Sequence, residues 1–199
     1  SDVMKEGGRG VALSDLADPR DLDVATIWLS GAPYGSLAAV KDAATLVALP
    51  NGRKAAKLLA ARTGARVVEV PTPFGPARTR RMLLEVARAT GKLPAYESFV
   101  ASELRLLVPR LEWAVRHLFF GRSIVFAGRP DLLGGLHSLA TEVGMNVLLL
   151  ATPARPEHLG EDLAELGPMP PILFSPTKAA LARAHRELAR DHDVDIVVG

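Results

Sequence analysis

The sequence predicts an α/β protein with two parallel-sheet lobes joined by a long helix. Three observations predict it. Short apolar, β-branched runs alternate with longer amphipathic ones, and strand–helix alternation of this kind implies parallel strands with right-handed crossovers. The filling is aliphatic: hydrophobic residues make up 48% of the 199 positions and aromatics only 5%, which suits helices packed on a sheet. Gly and Pro punctuate the runs where helices begin and end.

The elements follow in order. Ser1–Gly10 is polar and glycine-rich and reads as a frayed or tag-bearing end. Asp15, Asp18, Asp21 and Asp23 alternate with apolar residues but lack the glycine and terminal glutamate of a calcium loop. They read as turn and capping residues. Ser36–Ala44 reads as a short helix capped by Ser36. Thr45–Leu49 is a buried strand, Asn51–Gly64 a helix with Ala55, Leu58, Leu59 and Arg62 on one side, and Arg66–Val70 the next strand. Pro71–Gly91 makes a loop and a helix whose apolar face is Met82, Leu83, Val86, Ala87 and Thr90. A long helix over about Tyr96–Leu118 repeats Leu104, Leu107, Leu111 and Val115, with Pro109 as a possible kink. The second lobe then alternates: strands Ser123–Phe126, Asn146–Leu150, Ile172–Phe174 and Val194–Val198, and helices Pro130–Val143, Glu157–Leu166 and Thr177–Asp191. Residues 1–92 form the first lobe, 93–120 the connector and 121–199 the second lobe. The chain stops at Gly199, directly after a strand, so a truncated piece of a longer polypeptide is expected.

Composition narrows the function classes. No run of 18 apolar residues is present, nor a basic leader with a cleavage site. Cysteine is absent, which excludes disulfides, a thiol nucleophile and a cysteine-held cluster within these residues. A cytoplasmic location fits. Residues 1–92 carry 14 Lys/Arg against 9 Asp/Glu, and residues 93–199 carry 10 against 13. The basic excess has no accompanying nucleic-acid motif or interleaved aromatics. An acidic protein or a carboxylated small molecule suits it better.

Two loops carry the candidate site. Gly128-Arg129-Pro130-Asp131 joins a strand to a helix. It lacks the Gly-x-Gly-x-x-Gly of a dinucleotide site and the Gly-Lys-Ser/Thr of a P-loop. What remains is Arg129 at a helix start beside a strand's carboxyl end, which suits an anionic group. A plain turn with a solvated arginine is the alternative. Its counterpart is Phe74-Gly75-Pro76, with Arg78, Thr79 and Arg81 in the following turns. Phe74, Gly75, Thr79, Gly128, Arg129 and Asp131 are the candidate binding residues. His117, His137, His158, His185 and His192 show no metal-ligand spacing, and no metal ligand is assigned.

Several stretches in order resemble the nitrogenase component 1 family, which includes nitrogenase, its cofactor-assembly scaffolds and the protochlorophyllide and chlorophyllide reductases. They are "SDLADPRD", "YGSLAAVKDAATLVALPNGRKAAKLLAARTGARVVEVP", "PFGPARTRRMLLEVARATGK" and "RHLFFGRSIVFAGRPDLLGGLHSLATEVGMNVLLLATP", spanning roughly Leu13–Pro153. The resemblance implies a piece of a subunit built from Rossmann-like domains. It implies a homologous partner subunit, an ATP-dependent iron–sulfur reductase that delivers electrons, and a substrate or cofactor in a cleft bordered by Phe74–Thr79 and Gly128–Asp131. It also implies an iron–sulfur cluster in the full-length complex, held outside these residues. In nitrogenase proper a cysteine near the strand end matching Ala48–Asn51 ligates the metal cofactor. Here that stretch reads Ala-Leu-Pro-Asn, so dinitrogen reduction is not expected. The reading is a fragment of an oxidoreductase subunit acting on a tetrapyrrole or metal cofactor, or alternatively a non-catalytic assembly scaffold or an unrelated α/β small-ligand binder.

Overall fold

The computed structural model describes residues 34–158 and 169–199, together with Val24 and Ile27. The aspartates of the opening segment and most of the helix expected over Glu157–Leu166 lie outside the described residues.

Two sheets form, both wholly parallel. The first pairs β1 (Thr45–Ala48) with β2 (Arg66–Glu69), Thr45 opposite Arg66. The second is ordered β5-β4-β3-β6, from β3 (Ser123–Ala127), β4 (Asn146–Thr152), β5 (Ile172–Phe174) and β6 (Ile196–Val198). The chain builds outward from β3 to β5, then crosses back to lay β6 on the other side of β3. That reversal makes the carboxyl end of β3 a topological switch point, where open α/β sheets leave a crevice. Consecutive residues of β3, Ile124, Val125 and Phe126, are all buried. This is why the strand is continuously apolar and does not alternate.

Five α-helices are described: α1 (Arg53–Thr63), α2 (Pro76–Thr90), α3 (Leu93–Ala114), α4 (Pro130–Glu142) and α5 (Lys178–Asp191). The caps are those the sequence marks. Gly64 and Gly91 close α1 and α2 in left-handed conformations, and Thr177 accepts the Ala180 N–H at the start of α5. Residues Tyr34–Asp42 form a 3-10 helix in place of the expected helix from Ser36.

Each sheet has its own core. Val68, Val70, Met82 and Val86 pack β2 against α2, with Val47 and Leu83 at the margin. Phe126, Leu133 and Leu150 pack α4 between β3 and β4. Burying a side chain such as Leu133 or Leu150 contributes about 1.5–3 kcal/mol. The expected face of α2 is the observed one.

Two expected faces are corrected. In α1 the buried position is Ala56, with Leu59, Ala60 and Thr63 partly covered, while Leu58 is 71% exposed. Both sets obey helical spacing, and only the tertiary partner distinguishes them. The connector differs more. It begins at Leu93, with Pro94 in its first turn, runs through Pro109 to Ala114, and ends in a π turn over Val115–Phe119. Its leucine stripe is not a core face, since Leu104 and Leu107 are exposed. Among the described residues no helix is long and apolar enough to cross a membrane.

Candidate functional site

The candidate site is built from loops that leave the carboxyl ends of β1, β2 and β3. After β3, Gly128 continues the ladder by donating its N–H to the Ala151 carbonyl at 2.9 Å. Arg129 then holds extended backbone and Pro130 starts α4. A side chain at 128 has no room, because a Cβ there would lie 2.5 Å from the Phe126 ring. Arg129 turns its guanidinium onto Asp131 in a two-point fork. Nε donates to Oδ1 and Nη2 to Oδ2, each at 3.0 Å. The arginine side chain is 71% exposed and the aspartate 17%.

The loop after β1 completes this group. Leu49 leads into a single 3-10 turn, Pro50–Gly52, and Asn51 Nδ2 donates to Asp131 Oδ2 at 3.3 Å. One carboxylate thus receives donors from both sheets' loops. Two of the five N–H donors of Arg129 are spent on Asp131, which also offsets its charge. Three donors remain for acceptors on a ligand.

The loop after β2 has a different task. Gly75 sits at φ 80°, ψ 168°, a conformation that only glycine adopts readily, and a Cβ there would lie 3.1 Å from Leu139 of α4. Phe74 lies across α4 at Gly135, where a Cβ would come within 2.5 Å of the phenylalanine's own Cβ. Just beyond, the Ala77 N–H at the start of α2 donates to Glu142 Oε2 at 3.0 Å, and Ser138 donates to the other oxygen of that carboxylate at 3.1 Å. The start of α2 is thereby capped by a side chain from α4. Phe74 and Gly75 dock the two layers together, and Thr79 stands in the first turn of α2, half-buried, outside the polar group.

Gly128, Arg129 and Asp131 therefore come together with Asn51, which sequence reasoning did not select, and the Phe74–Thr79 loop flanks them along α4. Asn51 carries no local signal, since its role depends on a residue in another sheet. Gly135 does carry one: a glycine inside a helix costs about 1 kcal/mol relative to alanine and marks a close approach. His137, also on α4, is 7% exposed, and its Nδ1 has no hydrogen-bond partner. Burial lowers its pKa below the usual histidine value.

A second surface depression lies at the opposite, amino end of β3, lined by His117, Arg122, His192 and Asp195 among others. Its centre is structural. Asp195 accepts from Arg122 Nη1 and from the Ser123 N–H, each at 2.8 Å, tying β6 to β3. Among the described residues, no group of three or more His, Cys, Asp or Glu side chains is placed to hold a metal ion. With no cysteine in the chain, the residues present do not fit the ligand set of an iron–sulfur cluster.

Comparison with known proteins matches this architecture. The family model for nitrogenase component 1 type oxidoreductases matches residues 6–199. Among solved structures, "Nitrogenase Cp1 at pH 6.5" superposes with a TM-score of 0.62 at 19% identity, over 79% of this chain and 34% of that one. The likeness is one of fold, and the chain spans about a third of the length of that relative.

Proposed function

The chain belongs to the nitrogenase component 1 type oxidoreductases, and from that membership we propose that it forms part of a subunit that binds a tetrapyrrole or metal-cofactor substrate for ATP-dependent, multi-electron reduction. A homologous partner subunit and an ATP-dependent iron–sulfur reductase complete the system. The observation that carries this reading is the carboxylate of Asp131, which gathers Asn51 and Arg129 from the ends of β1 and β3. This shared floor lies at a strand switch point, where such sheets bind ligands.

Of the two substrate classes, the tetrapyrrole suits the residues better. Ala48–Asn51 offers no thiolate, imidazole or carboxylate, so no metal ligation is assigned there. A ring with carboxylate arms needs shape and donors. Arg129 supplies the donors, oriented by Asp131, and Asn51 fixes Asp131 in turn. The same lack of ligating side chains favours a second reading, a scaffold that holds a precursor without reducing it.

The test uses the full-length protein with its partner subunit, an iron–sulfur reductase of the family, ATP and a porphyrin-type dicarboxylic acid. Ring absorbance that changes only with ATP supports the reductase. Binding with no ATP-dependent change supports the scaffold, and no binding overturns both. Arg129→Ala is expected to weaken ring binding about tenfold, the equivalent of about 1.4 kcal/mol.

A further inference from the structure

The loop that opens α4 occupies the place where open α/β sheets commonly hold a phosphate, a helix N-terminus beyond the carboxyl end of a strand. Here the chain has put its own acid there. Asp131 stands in the first turn of α4, where a carboxylate offsets the positive end of the helix. Asn51 donates to one of its oxygens, and Arg129 reaches both.

The fork to Asp131 leaves a second one open. It uses Nε and Nη2 of Arg129, which form one edge of a planar group. The edge formed by Nη1 and Nη2 carries two more parallel N–H donors, on a side chain that is 71% exposed. Parallel donors suit two oxygens of a carboxylate or of a phosphate, so shape does not separate these ligands. Charge does. The Arg129 and Asp131 charges offset one another. At the same distance Asp131 repels a dianion twice as strongly as a monoanion, and a dianion also gives up more hydration on leaving water.

We infer, on the reading of Arg129 as a ligand-binding residue, that Asp131 determines specificity at this site: it commits Arg129 to a singly charged carboxylate of the ligand and turns away phosphoryl groups. Neither a ring nor its reduction is needed for that choice. A molecule recognised here presents a monoanionic acid arm, and a nucleotide's phosphates bind elsewhere. Asn51 acts by holding Asp131 through its 3.3 Å hydrogen bond, so it is a positioning residue. The place that a phosphate would take at the start of α4 is filled in advance by the chain's own carboxylate.

Benzoate and phenyl phosphate carry the same ring with one negative charge or two at about pH 8. Each is titrated calorimetrically into the full-length protein with its partner subunit. The wild type should bind benzoate more tightly. Arg129→Ala should weaken benzoate binding about tenfold, the loss of a charge-assisted pair. Arg129→Lys should also weaken it, because lysine keeps the charge and loses the parallel donors. Asp131→Asn removes a charge at almost constant size. It should bind benzoate about threefold and phenyl phosphate about tenfold more tightly, as expected when a unit charge is removed in a water-like medium. Circular dichroism verifies that the variants are folded. Wild-type preference for phenyl phosphate, binding of neither acid, or equal shifts for both in Asp131→Asn overturns the inference. The ring assay separates it from the proposed function. A dicarboxylic ring that fails to bind, while benzoate shows these shifts, removes the reductase and scaffold readings and leaves the selectivity standing. A ring that is bound and reduced, while the acid preference ignores Asp131→Asn, does the reverse.

Discussion

Asn51 and Asp131 are 80 residues apart in sequence and 3.3 Å apart in space, the side-chain amide of one sheet's loop donating to the carboxylate of the other's. The Asp131 carboxylate that receives it also holds both arms of the Arg129 fork. Removing the carboxylate should therefore change ligand binding more than stability. In Asp131→Asn the arginine is left without its counter-charge, so inorganic phosphate should bind several-fold more tightly than to the wild type, and in Arg129→Ala more weakly. Titration calorimetry reads both. Because Arg129 is largely exposed, its loss should lower unfolding free energy by less than about 1 kcal/mol.

Gly135→Ala should destabilise the protein although alanine is the better helix former. The propensity gain is about 1 kcal/mol. The added methyl would sit 2.5 Å from the Phe74 Cβ, a backbone-proximal atom that cannot swing away. Overpacking of this kind costs about 1–3 kcal/mol. Urea denaturation should show a net loss in the single variant and a smaller loss than additivity predicts in the double variant with Phe74→Gly, which removes the clashing Cβ.

Leu133→Ala should be the more damaging core change. Leu133 has no exposed surface and packs with Phe126 and Leu150, and truncations at such sites cost about 2–5 kcal/mol. The midpoint of chemical unfolding reports it.

Stability should fall on mild acidification because of His137. Its folded-state pKa is lowered by burial, so the unfolded chain binds the proton more readily. Above the ordinary value of about 6.5 both states are neutral and the group contributes nothing. As pH drops below 6.5 toward the folded pKa, the unfolded state gains protons first and stability is lost. His137→Gln should flatten the melting-temperature profile between pH 6.5 and 5. The carboxylates of Glu69 and Asp195 act lower on the scale. Lys57, with Arg53 beside it, lowers the pKa of the first, and the Ser123 N–H together with Arg122 lowers that of the second. Their contribution is present above the ordinary carboxylate range and disappears as pH falls through their folded values.

Much of this architecture was legible in the residues. Buried parallel strands such as Val67–Val68 and Ile124–Phe126 announce themselves by being apolar without alternation, and Gly64, Gly91 and Pro130 mark helix limits by backbone geometry alone. The face of α2 was legible because Met82, Val86 and Ala87 admit one helical reading. That of α1 was not, because Ala55 and Ala56 are chemically identical and only the sheet distinguishes them. The leucines of α3 misled for a related reason: periodicity reports that a face is apolar, not that this chain covers it. At the candidate site, the loop's form is enough to single out Arg129 and Asp131 as neighbours at a helix start. Asn51 could not, since a hydrogen bond between distant loops leaves no local trace.

The Ala77 N–H rests on Glu142, so a helix belonging to one layer begins on a side chain belonging to the other. Were the layers to swing apart, that amide and its carboxylate would exchange each other for water, at a modest net cost of about 0.5–1.5 kcal/mol. The join between the layers is therefore keyed by polar geometry as well as by the apolar contact of Phe74 with Gly135.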